Sequence, residues 1–152
     1  MIYLKYGDLF VSSCSCSLAQ CISADARMSK GISVKFVEHF PVVKNLQSEF
    51  NILGTAKPVF VMGRNKFVYN LIFKKSYWLK PTLNDLYSSL LSMRSHAELF
   101  GVTDISMPKI GSGCDKLNFP GTVLPMIIRV FENTSVNVYI YKISLTSNIR
   151  YV

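Results

Sequence analysis

The stretch Met107-Pro-Lys-Ile-Gly-Ser-Gly-Cys-Asp-Lys-Leu117 decides how the rest of the chain is read. It follows Gly101-Val-Thr-Asp-Ile-Ser106, whose last four residues suit entry into a buried strand. Gly111 and Gly113 then flank Ser112. Glycines at this spacing let the backbone turn sharply and approach a ligand with no Cβ in the way. Successive N–H groups in such a turn form a small anion-binding nest. The loop closes on one carboxylate, Asp115, between Cys114 and Lys116. A phosphate-cradling loop ending in an acid points to a nucleotide-like ligand with chemistry beside its phosphates. A glycine pair after a strand is also the pattern of an ordinary tight turn, so context must decide.

Working outward, 152 residues suit one domain with a real core. Hydrophobic residues make up 49% and charged residues 17%, a balance that folds rather than staying disordered. No apolar run reaches the roughly 18 residues of a membrane span. The chain enters a strand-like segment at Ile2-Tyr-Leu-Lys-Tyr6, without the layout of a signal peptide. Of the four cysteines, Cys14, Cys16 and Cys21 crowd the start and Cys114 lies far away. There is no second pair at metal-ligand spacing, and His39 and His96 are remote, so free thiols in a reducing compartment are expected. This gives an intracellular setting, nucleus or cytoplasm. The formal charge of +8 favours anionic partners, but the 17 Lys and Arg are scattered. A dedicated nucleic-acid binder clusters them, so direct nucleic-acid binding is not expected. Neither a metal nor a cofactor is called for by any residue cluster, and the chain is expected to be a monomer.

Alternation predicts strands over 3–6, 18–23, 66–73, 104–108 and 136–143, with a hairpin from 59–62 to 66–73 around Gly63-Arg64-Asn65. Residues 11–17 read as loop. An amphipathic segment over 32–39 is broken by Pro41, and a short helix over 42–50 places Val43, Leu46 and Phe50 on one face. The clearest helix starts at Thr82, a capping residue. Its apolar face is Leu83, Leu86, Leu90, Met93, Ala97 and Phe100, with His96 opposite and solvated, and Gly101 stops it. A last helix covers about 121–133, with Pro125 in its first turn. Residues 144–152 have no periodicity and read as an extension. Interleaved strands and helices imply an α/β fold with helices on both faces of one sheet. Ligands in such folds sit at the carboxyl ends of strands.

Six motifs now stand in order: Gly7-Asp-Leu-Phe10, Cys21-Ile-Ser-x-Asp25, Arg27-Met-x-x-Gly-Ile32, Leu71-Ile-x-Lys-Lys75, Lys80-Pro-Thr82 and the loop after residue 107. Together they resemble the macrodomain family, and within it the terminal ADP-ribose protein glycohydrolase subgroup, over about residues 3–143. The resemblance implies a three-layer α/β/α macrodomain with a mixed central sheet. It implies removal of ADP-ribose from glutamate and aspartate side chains, with ADP-ribose as product and ADP-ribosylated proteins as substrates. Deacetylation of O-acetyl-ADP-ribose is the companion activity. A non-catalytic ADP-ribose reader and an ADP-ribose 1″-phosphate phosphatase are the alternatives that the family also contains.

Lys74 ends an apolar strand, where loss of water favours the free amine, although most lysines reach solvent. The resemblance makes it the nucleophile at the anomeric carbon of the distal ribose, and Asp115 the acid/base partner. Asp115 read by itself could equally cap a turn. The resemblance places Asp8 on the adenine amino group with Leu9 beside the ring, where an ionised carboxylate can only accept. It places Ser23 at the ligand and Gly31 at a helix start facing the diphosphate. Lys109, Ile110, Gly111, Ser112, Gly113 and Cys114 would wrap the distal ribose and diphosphate, and Ile143 would close over the adenine side. The family usually has glycine two positions before Gly31. Here Ser29 stands there, expected to tighten the loop, and Lys30 adds charge. Tyr77 and Trp78, after Lys74, suit either a stacking lid or core packing. No serine or cysteine triad is supported.

Overall fold

The structure is a computed structural model and describes residues 1–12 and 15–142. Its strands are β1 (Ile2–Tyr6), β2 (Ser17–Ser23), β3 (Ala56–Val61), β4 (Lys66–Lys74), β5 (Asp104–Pro108) and β6 (Asn137–Lys142). They form one six-stranded sheet in the order β1-β6-β5-β2-β4-β3. All neighbours pair in parallel except β3, which runs antiparallel to β4 as the edge of the hairpin. The sheet is therefore mixed.

Alternation along the buried strands supplies two cores. In β4, Tyr69, Leu71 and Phe73 face one side, where they meet Leu86, Leu90, Met93 and Ala97 of α3 (Leu83–Leu99) and Ile127, Val130 and Phe131 of α4 (Leu124–Phe131). Val68 and Ile72 face the other, with Leu18 and Ile22 of β2. They pack on Leu9 of α1 (Leu9–Ser12), Phe36 of α2 (Ile32–His39) and Val43 and Leu46 of a 3-10 helix over Pro41–Ser48. Helices thus cover both faces, giving the three layers that a sheet buried on both sides requires. Thr82 caps α3 by accepting from the Asp85 N–H at 3.1 Å, and Gly101 follows with φ 69°.

Several expectations need correction. Val11 and Ser12, expected at the start of a loop, belong to the helical turn α1, and Ser17, at that loop's expected end, already belongs to β2. The helix expected over 42–50 is 3-10 and stops at Ser48, leaving Phe50 85% exposed past its end. Leu83 and Phe100 lie at the two ends of α3 and are exposed, although the Phe100 ring still meets that of Phe67 on β4 at 6.0 Å. The helix expected over 121–133 is a π turn over Phe119–Val123 followed by α4, with Pro125 in the first turn of α4. Ile143 and the extension 144–152 lie outside the described residues. Among the described residues no helix is long and apolar enough to cross a membrane.

Candidate active site

The five parallel strands all end at the same edge of the sheet, and a cavity of about 740 Å³ opens there. Gly7, Asp8, Leu9 and Phe10 line it from the end of β1, and Cys21 from β2. The start of α2 gives Gly31, Ile32 and Ser33, and β4 gives Phe73. The loop after β5 adds every residue from Pro108 to Asp115, and the end of β6 adds Tyr141 and Lys142. Nine of the expected ligand residues therefore line one cavity: Asp8, Leu9, Gly31, Lys109, Ile110, Gly111, Ser112, Gly113 and Cys114. Lys30, Lys109 and Lys142 give that cavity a cationic character suited to a diphosphate.

The loop after β5 is shaped by its own hydrogen bonds. The Lys109 carbonyl accepts from the Ser112 N–H at 3.2 Å and from the Ser112 hydroxyl at 2.6 Å. The Gly111 carbonyl accepts from the Leu117 N–H at 2.8 Å. Gly111 has φ 76°, and a Cβ there would lie 2.6 Å from Leu117 Cδ1. Glycine is required by the protein itself at that point. At Gly113 a Cβ would meet nothing within 4 Å, so the protein's own packing makes no such demand.

Across the cavity, Gly31 takes φ 62° at the start of α2, and a Cβ on it would sit 3.9 Å from Cys114 Sγ. The two loops face each other there. The left-handed backbone of the first loop falls at Ala26, Met28 and Gly31, with φ of 51°, 49° and 62°. It does not fall at Ser29, so the serine sits there without a left-handed backbone to strain it. Asp8 Oδ1 accepts from the Phe10 N–H at 2.9 Å. That is the turn-capping role, and the same bond holds the carboxylate at the cavity wall.

Lys74 and Asp115 meet. Lys74 Nζ lies 2.8 Å from Asp115 Oδ1 and also donates to the Tyr77 carbonyl at 3.0 Å. The two side chains are 11% and 16% exposed, so the pair is largely shielded from water. Asp115 lines the cavity; Lys74 and Ser23 are not on its wall, and Lys74 joins it through Asp115. Ser23 is buried and donates to Asp25. Cys21 lies close to the same pair. Burial first, and the Asp115 carboxylate second, push its thiol well above the ordinary range, while Lys74 pulls the other way. A thiol so placed stays protonated at neutral pH and is no nucleophile.

The cavity residues to which sequence reasoning gave no role are Gly7, Phe10, Cys21, Ile32, Ser33, Phe73, Pro108, Tyr141 and Lys142. Each adjoins or nearly adjoins a residue that was named, and position at a strand end was the available signal. Tyr77 and Trp78 are not core: they are 41% and 71% exposed, with the Arg27 guanidinium 4.2 Å from the Tyr77 ring centre. Among the described residues no group of three His, Cys, Asp or Glu could hold a metal.

The fold and this cavity define a macrodomain. The macrodomain of Mycobacterium tuberculosis DarG superposes with a TM-score of 0.84 at 20% identity, covering 95% of this chain and 99% of that one. Thermosipho africanus DarTG, solved in complex with ADP-ribose, superposes at 0.77 and 18% identity over 95% of this chain and 42% of that one. No family model matches the sequence. A much nearer relative is the human ADP-ribose glycohydrolase OARD1, 43% identical over 140 residues, 91% of this chain and 89% of the relative. The chain belongs to the macrodomain family and, within it, to the OARD1 group of hydrolases.

Proposed function

We propose that this chain is an ADP-ribose glycohydrolase that frees ADP-ribose from glutamate and aspartate side chains, with Lys74 as nucleophile and Asp115 as acid/base. The observation that carries this reading is the 2.8 Å contact between Lys74 Nζ and Asp115 Oδ1 at the ligand cavity. In the ester, the anomeric carbon of the distal ribose bears a carboxylate leaving group. Asp115 is placed to take a proton from the lysine ammonium. The freed amine attacks the anomeric carbon, the carbon–oxygen bond breaks, and the protein's carboxylate departs. A carbon–nitrogen adduct on Lys74 remains. Asp115 releases its proton to solvent, takes one from water as that water breaks the carbon–nitrogen bond to give ADP-ribose, and returns it to the departing lysine. Splitting one displacement into two steps of this kind is the benefit of covalent catalysis.

The cavity supports the ligand class independently. The start of α2, the glycine loop around Ser112 and three lysines line one cavity, a setting suited to a diphosphate. The open space at Gly113 fits the close approach of a ribose to the backbone. O-acetyl-ADP-ribose, another acyl ester of the distal ribose, should be cleaved by the same pair.

One observation favours a reader instead: Lys74 is held in an ion pair, and an ammonium is not nucleophilic. The deciding experiment uses a protein ADP-ribosylated on glutamate. ADP-ribose released with turnover supports the hydrolase. Tight binding of free ADP-ribose with the mark left intact would make the chain a reader.

A further inference from the structure

Asp25 stands two residues beyond the end of β2, and both of its oxygens are engaged. Oδ1 accepts from the Ser23 hydroxyl, and Oδ2 accepts from the backbone N–H of Tyr77 at 3.2 Å. Arg27 stacks on the Tyr77 ring at 4.2 Å from the loop that Asp25 begins. Tyr77 in turn offers its carbonyl to Lys74 Nζ at 3.0 Å. The strand ends beneath are already stitched together, since Ser23 pairs with Lys74 and the Ala24 N–H donates to the Lys74 carbonyl at 2.9 Å. Asp25 and Arg27 therefore grip the turn after β4 from the end of β2.

The consequence lies in the lone pair. A neutral amine has two N–H groups and one lone pair. The Asp115 carboxylate and the Tyr77 carbonyl are two acceptors for those two N–H groups, which leaves the lone pair with a fixed direction. A lysine side chain has much rotamer freedom, so a second fixed acceptor matters to where its nitrogen rests. The Tyr77 carbonyl can serve only if its turn is held. That turn lies outside helix and strand and Tyr77 is 41% exposed, so the grip on the Tyr77 N–H supplies the restraint.

We propose that Asp25 is a positioning residue for Lys74, acting through the main chain of Tyr77, with Arg27 as a second clamp on the ring. The inference rests on Lys74 being the nucleophile, and the test separates the two. Single-turnover rate on glutamate-ADP-ribosylated protein and the Kd for free ADP-ribose are measured for wild type, Lys74→Ala, Asp25→Ala and Asp25→Asn. Asparagine keeps the shape, one acceptor for the Tyr77 N–H and one donor for the Ser23 oxygen. Asp25→Ala should be slower by about 10²-fold, the cost of misplacing a reacting group by about 1 Å, with Kd unchanged. Asp25→Asn should recover most of the rate. Full rate in Asp25→Ala beside an inactive Lys74→Ala would overturn the positioning role alone. So would a loss of rate and affinity together, which is what a merely structural residue gives. Full rate in Lys74→Ala would remove the nucleophile reading and this inference with it.

Discussion

Strand β4 carries two hydrogen-bonded pairs of titratable groups, and they have opposite characters. At its middle, Tyr69 Oη lies 2.8 Å from His96 Nδ1 of α3. At its end, Lys74 Nζ lies 2.8 Å from Asp115 Oδ1. The distances are alike, so distance does not tell a packing pair from a reacting one. Surroundings do. Tyr69 is wholly buried and its hydroxyl is pushed well above the usual range by that burial, while burial pulls His96 below 6.5. Both groups are therefore neutral at pH 7, and they share a neutral hydrogen bond whose direction follows the imidazole tautomer. Phe67 and Phe100 close around the ring at centroid distances of 4.8 and 4.3 Å. Neither residue of that pair lines the cavity. Lys74, the last residue of β4, and Asp115, on the loop after β5, instead sit where the parallel strands end, beside a cavity that a nucleotide-sized ligand can enter.

The contrast can be broken by substitutions at each place. The largest effect is expected from Asp115→Asn, which keeps the shape and removes the base. Release of ADP-ribose should slow by about 10² to 10⁴-fold, the usual span for general acid–base help, with ADP-ribose still bound. Calorimetric titration beside a turnover assay checks both halves. Next come the two glycines of the same loop. Gly111→Ala drives a Cβ into Leu117 and strains a φ of 76°, so melting should report a loss of about 1 to 3 kcal/mol. Gly113→Ala should leave stability untouched, because a Cβ there meets no protein atom within 4 Å, and should weaken ADP-ribose affinity. Equal effects on stability at the two sites would contradict the account of the loop.

The smallest effect belongs to the other pair. Tyr69→Phe removes one neutral hydrogen bond, worth about 1 kcal/mol, and should leave turnover unchanged. The same pair predicts a pH dependence. The folded pKa of His96 lies below its unfolded value, so between the two the unfolded chain holds more protons. Its contribution is fully present above about pH 6.5 and is lost as pH falls through the lowered folded value. Melting curves of wild type and His96→Leu between pH 7.5 and 5.5 should diverge in slope, the wild type losing stability faster on acidification.

How far the sequence foretold this depends on whether the deciding contact is local. The loop after β5 was legible because its glycines and its acid lie within a few residues of one another. Strands β2, β4 and β5 were legible to within a residue or so, because buried parallel strands are continuous apolar runs. His96 was not: read by helical spacing it faced water, while its partners Tyr69 and Phe67 come from a strand 27 or more residues earlier. Phe50 failed for a related reason. Its spacing fitted a helical face, but the helix ends at Ser48, and what lies past that end is exposed whatever its period. Lys74 was half legible. Its place at the end of a strand could be read, whereas its contact with Asp115, 41 residues away, belongs to the folded chain alone. The role of Asp25 was hidden altogether, because it runs through the backbone of Tyr77, and backbone atoms leave no mark in a sequence.

The central claim is that Lys74 forms a covalent bond to the distal ribose. Intact-mass analysis of Asp115→Ala incubated with a glutamate-ADP-ribosylated protein tests it most directly, since this variant lacks the group that helps water to resolve the adduct. The account predicts a species heavier by one ADP-ribosyl group, mapped by peptide fragmentation to Lys74 and absent from a Lys74→Ala/Asp115→Ala double variant. No adduct on Asp115→Ala, together with release of the mark by Lys74→Ala at the wild-type rate, would contradict it.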